Sequence, residues 1–124
     1  MKYLVLIITM LCLAGTSLHA QAGVRLLNNR QALETALNNN EKVVVIFAAA
    51  WCDYCKEFLP KVERIAPAYR KIKFFKIYRD ANIHLFEAEN IEVVPTTKLY
   101  RNGKELDKMV VVEVGPLLQK LNAF

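Results

Sequence analysis

The stretch Trp51-Cys52-Asp53-Tyr54-Cys55-Lys56 places two cysteines three positions apart, between an apolar run and an amphipathic segment. Residues 43–48 are mostly β-branched and aromatic, which predicts a buried strand. Apolar residues recur at helical spacing over residues 55–71, which predicts a long helix. The strand therefore delivers Cys52 to a helix N-terminus, where free backbone N–H groups and the macrodipole stabilise a thiolate. Cys55 follows one turn later on the same side, so the pattern predicts a reversible disulfide.

Residues 1–22 have the pattern of a secretory signal peptide rather than of a folded domain. Lys2 precedes an apolar stretch of about 13 residues, which is short beside the ~20 residues that a membrane-spanning helix needs. Small residues at Ala20 and Ala22 predict cleavage after one of the two. An uncleaved anchor helix is the alternative. Residues 23–124 are then expected to form one domain.

The cysteine count and the charge both bear on the function class. The chain has three cysteines, and Cys12 lies in the predicted signal peptide. An exported protein whose other two thiols share one motif has not used disulfides as structural staples, so chemistry is predicted for the pair. The net charge is +5, but the basic residues are scattered among acidic ones. A solvated face is therefore predicted rather than nucleic-acid binding, and loose attraction to anionic partners or lipid surfaces stays open.

The rest of the chain alternates between strand and helix patterns. Strands are predicted at 24–27, 43–48, 73–78, 96–100 and 106–112, and helices at 30–38, 55–71, 83–89 and from Gly115-Pro116 onward. The Asn102-Gly103 pair predicts a tight hairpin between the last two strands. Asn90 is predicted to take a left-handed conformation after the third helix. The order predicts an α/β fold with helices on both faces of a mixed sheet, parallel at first and closed by an antiparallel hairpin.

The chain resembles the thioredoxin family across essentially all of residues 24–124. The resemblance rests on Trp51-Cys52-x-x-Cys55-Lys56, Pro60, Val94-Pro95-Thr96 and Asn102-Gly103. A C-x-x-C pair alone is also half of a zinc site, but zinc needs two further ligands, and His84 is the only histidine after the signal peptide. We therefore expect no metal and no cofactor, and interpret His84 as a surface residue. The resemblance implies a thioredoxin fold and thiol–disulfide exchange.

The resemblance also implies roles for the two cysteines and for a distant proline. Cys52, expected to be exposed, would attack a substrate disulfide, and Cys55 would then resolve the mixed disulfide. The family's matching proline is cis and packs against the disulfide, which implies the same for Pro95. Val94 would then offer its backbone to an extended substrate segment.

The other residues of the motif are predicted to bind substrate or to tune the redox couple. Trp51 and Tyr54 would line the docking surface, with core packing as the alternative for Trp51 and surface filling for Tyr54. The Asp53 carboxylate, about 7 Å from Cys52, would disfavour the thiolate by roughly 0.6–2 kcal/mol. Lys56 would offset part of this effect. A reducing couple is therefore expected.

One position departs from the family pattern. The family commonly buries an acidic residue beneath the second cysteine as a proton acceptor, and the matching residue here is Ile46. Water, Lys76 or Glu57 would have to accept the Cys55 proton instead.

These observations predict an exported, periplasmic oxidoreductase that exchanges its dithiol with protein substrates, in the reducing direction. A reductase in an oxidising compartment needs electrons from outside, so a membrane electron-relay protein is the expected partner. The protein is expected to be a monomer. The alternative is a thioredoxin-fold binding module whose disulfide is static.

Overall fold

A computed structural model describes residues 23–124, so the predicted signal peptide, residues 1–22, lies outside the described residues. The elements are β1 (Val24–Leu27), α1 (Arg30–Asn39), β2 (Lys42–Ala48), α2 (Asp53–Ile65), β3 (Ile72–Tyr78), α3 (Ile83–Ala88), β4 (Thr96–Arg101), β5 (Lys104–Met109) and α4 (Val114–Asn122). Single 3-10 turns at Ala66–Ala68 and Arg79–Ala81 precede and follow β3. The predicted order of strands and helices is confirmed.

The five strands form one mixed sheet in the order β1-β3-β2-β4-β5. Strands β1 and β2 pair in parallel with β3, whereas β4 is antiparallel to β2 and β5 is antiparallel to β4. Central strand β2 is buried from Val43 to Ala48, because both of its faces are covered. A strand that is covered on both faces needs apolar residues at every position, which explains the unbroken apolar run at residues 43–48.

Helices cover both faces of the sheet, so the predicted architecture is confirmed. Alternate residues of β2 point to opposite faces, with Val44 and Ile46 on one side and Val43, Val45 and Phe47 on the other. The first face packs against α2 and α4, chiefly through Phe58, Leu59, Val62, Leu117 and Leu121. The second packs against α1 and α3, chiefly through Leu33, Ala36, Leu85 and Phe86. No helix among residues 23–124 is long and apolar enough to cross a bilayer.

The long helix predicted over residues 55–71 is too long at its C-terminal end. Helix α2 begins at Asp53 and ends at Ile65, and the chain continues in the turn Ala66–Ala68. The Ala66 N–H still bonds to the Val62 carbonyl, but Pro67 has no N–H with which to continue the ladder. Pro60, earlier in the same helix, lies inside it as predicted.

The closing hairpin has the predicted turn but a shorter second strand. Asn102 (φ 51°) and Gly103 (φ 79°) are both left-handed, as a two-residue hairpin turn requires. The β4–β5 register shifts between Leu99 and Tyr100, so Leu106 is the extra residue of a bulge. Strand β5 ends at Met109 rather than at residue 112. In the β4–β5 register Val111 would lie opposite Pro95, which has no N–H to donate, so pairing could not continue to residue 112.

Candidate active site

The two cysteines lie where the chain leaves the central strand and enters α2. Cys52 is the N-cap of α2, and its Sγ accepts a hydrogen bond from the Cys55 backbone N–H at 3.1 Å. The turn before it is held by Asp80, whose Oδ1 accepts the Ala50 N–H at 2.9 Å. The motif is therefore fixed both by its own helix and by the segment that follows β3.

Cys52 and Cys55 form a disulfide with their Cα atoms 5.2 Å apart, inside the usual range for such bonds. The predicted pairing is confirmed. Cys52 is only 4% exposed and Cys55 1%, so the prediction of an exposed Cys52 is wrong for this disulfide form. Its sulfur is enclosed because it is bonded to Cys55 and lies 3.6 Å from the Val94 carbonyl oxygen.

The loop before β4 supplies the other wall of the site. The Val94–Pro95 peptide bond is cis, and the Val94 carbonyl oxygen lies 3.6 Å from Cys52 Sγ. Val94 is half-buried and Pro95 buried. The Thr96 hydroxyl donates to the Val93 carbonyl at 2.6 Å. The fold thus brings Val94 and Pro95, distant in sequence, to the disulfide.

Large apolar side chains next to the disulfide are open to solvent. Trp51 and Tyr54 are each 63% exposed, and Val93 is also exposed. Core packing, the alternative considered for Trp51, is therefore wrong. Exposed aromatic residues beside a reactive group are suited to contact a partner protein.

Some groups around the Cys52 sulfur stabilise its thiolate, and others destabilise it. In the reduced protein, the Cys55 N–H and the start of α2 favour a Cys52 thiolate. The Val94 carbonyl oxygen, an acceptor, favours the protonated thiol instead. Asp53 Oδ1 lies 3.7 Å from Lys56 Nζ, and both side chains are exposed, so Lys56 cancels part of the Asp53 charge.

Position 46, where the family commonly has a buried acidic residue, lies in an apolar environment. Ile46 is fully buried in the same cluster as Cys55. Of the two side chains considered as substitutes, Glu57 is exposed on α2, and Lys76 is half-buried beside Ile46 on β3. Lys76 Nζ lies 6.0 Å from the centre of the Tyr78 ring.

An open, mainly apolar pocket of about 520 Å³ borders the buried Cys55. Its lining consists of Ala49, Ala50, Cys55, Lys56, Leu59, Tyr78, Asp80 and Ala81. The pocket connects Cys55 to a carboxylate and to solvent. Sequence reasoning missed Asp80, although one signal was present. Residues that follow parallel neighbouring strands meet at one sheet edge, and Asp80 follows β3 as the motif follows β2.

A buried lysine behind the Val94 loop was also missed. Lys98 Nζ donates to the Glu89 carbonyl at 2.8 Å and lies 2.7 Å from Glu105 Oε1. Burial and the adjacent Glu89 raise the pKa of Tyr100, whose hydroxyl donates to the Glu89 carboxylate. These contacts brace the start of the segment 89–95 that carries Val94. A lysine inside an otherwise strand-like run was the available signal.

Histidine and carboxylate side chains do not converge on the site. Within residues 23–124, no group of three or more His, Cys, Asp or Glu side chains is placed to hold a metal ion. His84 is a surface residue on α3, as interpreted, with Nδ1 3.7 Å from Glu87.

The amino-acid sequence of this chain is similar to those of known proteins. Residues 24–122 match the family model described as Thioredoxin. Thioredoxin 1 of Plasmodium falciparum is 31% identical over 101 residues, which cover 82% of this chain and 97% of that protein. Thioredoxin-1 of Saccharomyces cerevisiae is 30% identical over 90 residues, covering 73% and 87% respectively.

Solved structures match it in three dimensions. A Plasmodium falciparum thioredoxin structure superposes with a TM-score of 0.78 at 31% identity, covering 82% of this chain and 99% of the other. Thioredoxin from Trypanosoma brucei brucei also gives 0.78, at 26% identity, with 86% and 95% covered.

Proposed function

The chain belongs to the thioredoxin family, and from this premise we propose that it is an exported thiol–disulfide oxidoreductase that reduces disulfides in other proteins. Thioredoxins are thiol–disulfide oxidoreductases that act on protein disulfides, so the reaction class follows from the family. The observation that carries the proposal is the Cys52–Cys55 disulfide at the start of a helix, with the Val94 carbonyl against one sulfur.

The two cysteines have different roles in the proposed reaction. The Cys52 thiolate attacks one sulfur of a substrate disulfide, and the other substrate sulfur leaves as a thiolate that takes up a proton. Cys55 then loses its proton and attacks Cys52 Sγ, which releases the second substrate thiol and restores the disulfide. Cys52 is the first nucleophile because its Sγ caps the start of α2 and accepts the Cys55 N–H, which favours the thiolate, and because it lies beside exposed Trp51, Tyr54 and Val93.

Substrate recognition would use backbone more than side chains. An extended substrate segment would pair with the main chain of Val94, next to the Cys52 sulfur, as an added strand. Trp51 and Tyr54 would contact the flanking residues of the substrate. Pairing through the main chain is indifferent to side chains, which suits an enzyme with several protein substrates.

We propose the reducing direction because of the groups around Cys52. The Val94 carbonyl and the Asp53 carboxylate both disfavour the Cys52 thiolate, so they destabilise the reduced protein relative to the disulfide. The reduced protein is therefore a better electron donor. The protein is equilibrated with glutathione or dithiothreitol buffers, and Trp51 fluorescence reports the fraction that is reduced. The reduction potential of the Cys52–Cys55 couple should be nearer to ~−270 mV than to ~−120 mV. A value near the oxidising end of this range would overturn the direction.

Export is proposed from residues 1–22 and from the use of cysteine. The n-region, apolar stretch and small residues form a secretory pattern, and the two cysteines after it are both in the motif. The periplasm is the proposed compartment, with a membrane electron-relay protein as the electron source for a monomeric enzyme. Expression of the full chain in a bacterium, followed by fractionation and N-terminal sequencing, tests this. Export predicts a periplasmic product that begins at Gln21 or Gly23, and an intact cytoplasmic chain contradicts it.

An insulin-reduction assay tests the activity. The native protein should reduce insulin with dithiothreitol as the electron source, and Cys52→Ser should abolish the activity. Cys55→Ser should instead accumulate a mixed disulfide with the substrate, because the resolving thiol is missing. If the native protein is inert, the alternative of a binding module with a static disulfide is supported instead.

A further inference from the structure

We propose that Asp80 accepts the proton that Cys55 loses when Cys55 resolves the mixed disulfide, and that water in the pocket between them carries this proton. The inference rests on the proposed function, because Cys55 must become a thiolate before it can attack Cys52 Sγ. Ile46 stands where the family commonly has a buried acidic residue, and its side chain cannot accept a proton. The Cys55 proton must therefore leave by another route.

The pocket beside α2 supplies that route. Cys55 and Asp80 both line it, although they are 25 positions apart in the chain. Cys55 is only 1% exposed, so the pocket is where its buried sulfur comes closest to solvent. The volume of about 520 Å³ is enough for several water molecules, since each occupies ~30 Å³ in the liquid.

The carboxylate of Asp80 is held in position and keeps one oxygen available. Its Oδ1 accepts the Ala50 N–H at 2.9 Å, which fixes the side chain at the pocket. Among residues 23–124, neither the hydrogen bonds nor the ion pairs give Oδ2 a partner. Oδ2 can therefore accept a hydrogen bond from water and then a proton. Because Asp80 is exposed, it can pass that proton on to solvent.

The pocket stays open while a substrate is bound. Strands β3 and β4 lie on opposite sides of β2 in the sheet. Asp80 follows β3, whereas Val94, the proposed docking segment, precedes β4. A substrate strand that pairs with Val94 therefore lies on one side of the disulfide and the pocket on the other. The proton can leave before the substrate does.

Other titratable or charged side chains line the pocket or lie next to its lining residues. They come from α2 and from the end of β3: Asp53, Lys56, Glu57, Lys76, Tyr78 and Arg79. The cations among them have no acceptor site, and a phenol is a far weaker base than a carboxylate. Asp53 and Glu57 are not lining residues, which leaves Asp80 as the carboxylate of the pocket. Lys56, also in the lining, would stabilise the Cys55 thiolate by its charge.

The proposed step balances in protons and electrons. The proton of Cys55 Sγ passes to pocket water, and water transfers a proton to Asp80 Oδ2. The electron pair left on Cys55 Sγ forms the bond to Cys52 Sγ. The bond between Cys52 Sγ and the substrate sulfur breaks, and the substrate leaves as a thiolate that takes up a proton from solvent. Asp80 then returns its proton to solvent, so no other reactant is needed.

The test uses Asp80→Asn, because its amide oxygen can still accept the Ala50 N–H but cannot take up a proton. The reduced protein is mixed with a disulfide peptide, and acid quenching with mass spectrometry follows formation and decay of the mixed disulfide. We expect the decay at pH 7 to slow about 100-fold, the lower end of the ~10²–10⁴ that proton transfer contributes. Formation, which uses Cys52, should be nearly unchanged. Glu57→Gln removes an exposed carboxylate outside the pocket and should leave both rates nearly unchanged.

The pH dependence separates proton transfer from a structural role of Asp80. The deficit of Asp80→Asn should shrink as the pH rises above the ordinary thiol pKa of ~8.5, because hydroxide then removes the Cys55 proton directly. A deficit that is equal at every pH, or that appears in Asp80→Ala but not in Asp80→Asn, would show that Asp80 only holds the turn and would overturn the proposal. Slower decay in Glu57→Gln, or native decay in Asp80→Asn, would overturn it too. If the native protein forms no mixed disulfide, the proposed function fails and this inference with it.

Discussion

Thr97 lies directly opposite Ile46 where β4 pairs with β2, and both side chains are fully buried. The Thr97 hydroxyl has no hydrogen-bond partner among the described residues. A cross-strand pair shares one face of the sheet, so the hydroxyl lies on the side that packs against α2 and the disulfide. An acidic side chain at position 46 could accept a hydrogen bond from this hydroxyl, but isoleucine cannot.

Replacing this hydroxyl with a methyl group should stabilise the protein. A buried hydroxyl without a partner carries a desolvation penalty of about 1–3 kcal/mol, and valine has nearly the same shape. We expect Thr97→Val to raise the free energy of unfolding by about 1 kcal/mol, measured by urea denaturation of the oxidised protein.

The neighbouring threonine is the matched control. Thr96 is equally buried, but its hydroxyl donates to the Val93 carbonyl at 2.6 Å. Thr96→Val should therefore lower the free energy of unfolding by about 1 kcal/mol. If both substitutions destabilise the protein alike, the Thr97 hydroxyl has a partner in solution, such as a buried water.

The elements of this fold were predictable where a local pattern decides the outcome. The apolar run of β2 and the Asn102-Gly103 turn each specify their own conformation, and Asn90 is left-handed (φ 58°) as its position predicted. The end of α2 was less predictable, since helical spacing continues past Ile65 while Pro67 interrupts the hydrogen bonds. Strand β5 stops short of residue 112, since Val111 would have to pair with Pro95 in the loop before β4, and local pattern carries no information about this pairing.

The site was predictable in its chemistry but not in its exposure. The spacing of Cys52 and Cys55 was enough to predict the disulfide. The burial of Cys52 results from Val94, 42 residues away in sequence, so no local pattern could show it. The same holds for Asp80 and Lys98, whose roles depend on which loops the sheet brings together.

Water access to Cys55 should depend on the pocket beside it. Ala81 is exposed and lines this pocket, so a larger side chain there would narrow the path to Cys55. We expect Ala81→Leu to slow the release of substrate from the mixed disulfide by roughly tenfold, part of the ~10²–10⁴ that proton transfer contributes to such steps. Rapid-quench kinetics measure this step. Ala88→Leu, on the exposed side of α3, should leave the rate unchanged, and an equal effect of both changes would contradict the role of the pocket.

The Asp107–Lys120 pair should make the free energy of unfolding depend on pH. A hydrogen bond from Lys120 at 2.8 Å, together with one from the Lys108 N–H, lowers the pKa of Asp107. A carboxyl whose pKa is lower in the folded state stabilises the fold above its unfolded pKa of ~3.9. That contribution is lost as the pH falls through the folded pKa.

The effect should be small because the pair is near the surface. Asp107→Asn should lower the free energy of unfolding at pH 7 by less than about 1 kcal/mol and should leave it unchanged at pH 2. Lys120→Met should remove the same dependence between pH 5 and pH 2. Urea denaturation at several pH values measures both. A loss that persists undiminished at pH 2 would show that Asp107 acts through packing rather than charge.

Lys98 should matter both for stability and for the position of the Val94 loop. Its charged group is buried and bonds to the Glu89 carbonyl and to Glu105, so Lys98→Met leaves a carbonyl without its donor. We expect a loss of about 1–3 kcal/mol in the free energy of unfolding. Because Glu89 begins the segment that carries Val94, the KM for a protein disulfide should rise as well. The rate of reduction by dithiothreitol, which needs no docking strand, should be retained.

Lys108 offers a matched comparison for this prediction. Its Nζ donates to the adjacent Asn90 carbonyl at 2.6 Å, but at the exposed surface, where water replaces a lost donor. Lys108→Met should therefore cost less than about 1 kcal/mol and leave the KM nearly unchanged. The difference between the two variants isolates burial, since both remove a lysine that holds the end of α3. Equal effects on stability and KM would show that the segment 89–95 keeps its position without the buried charge.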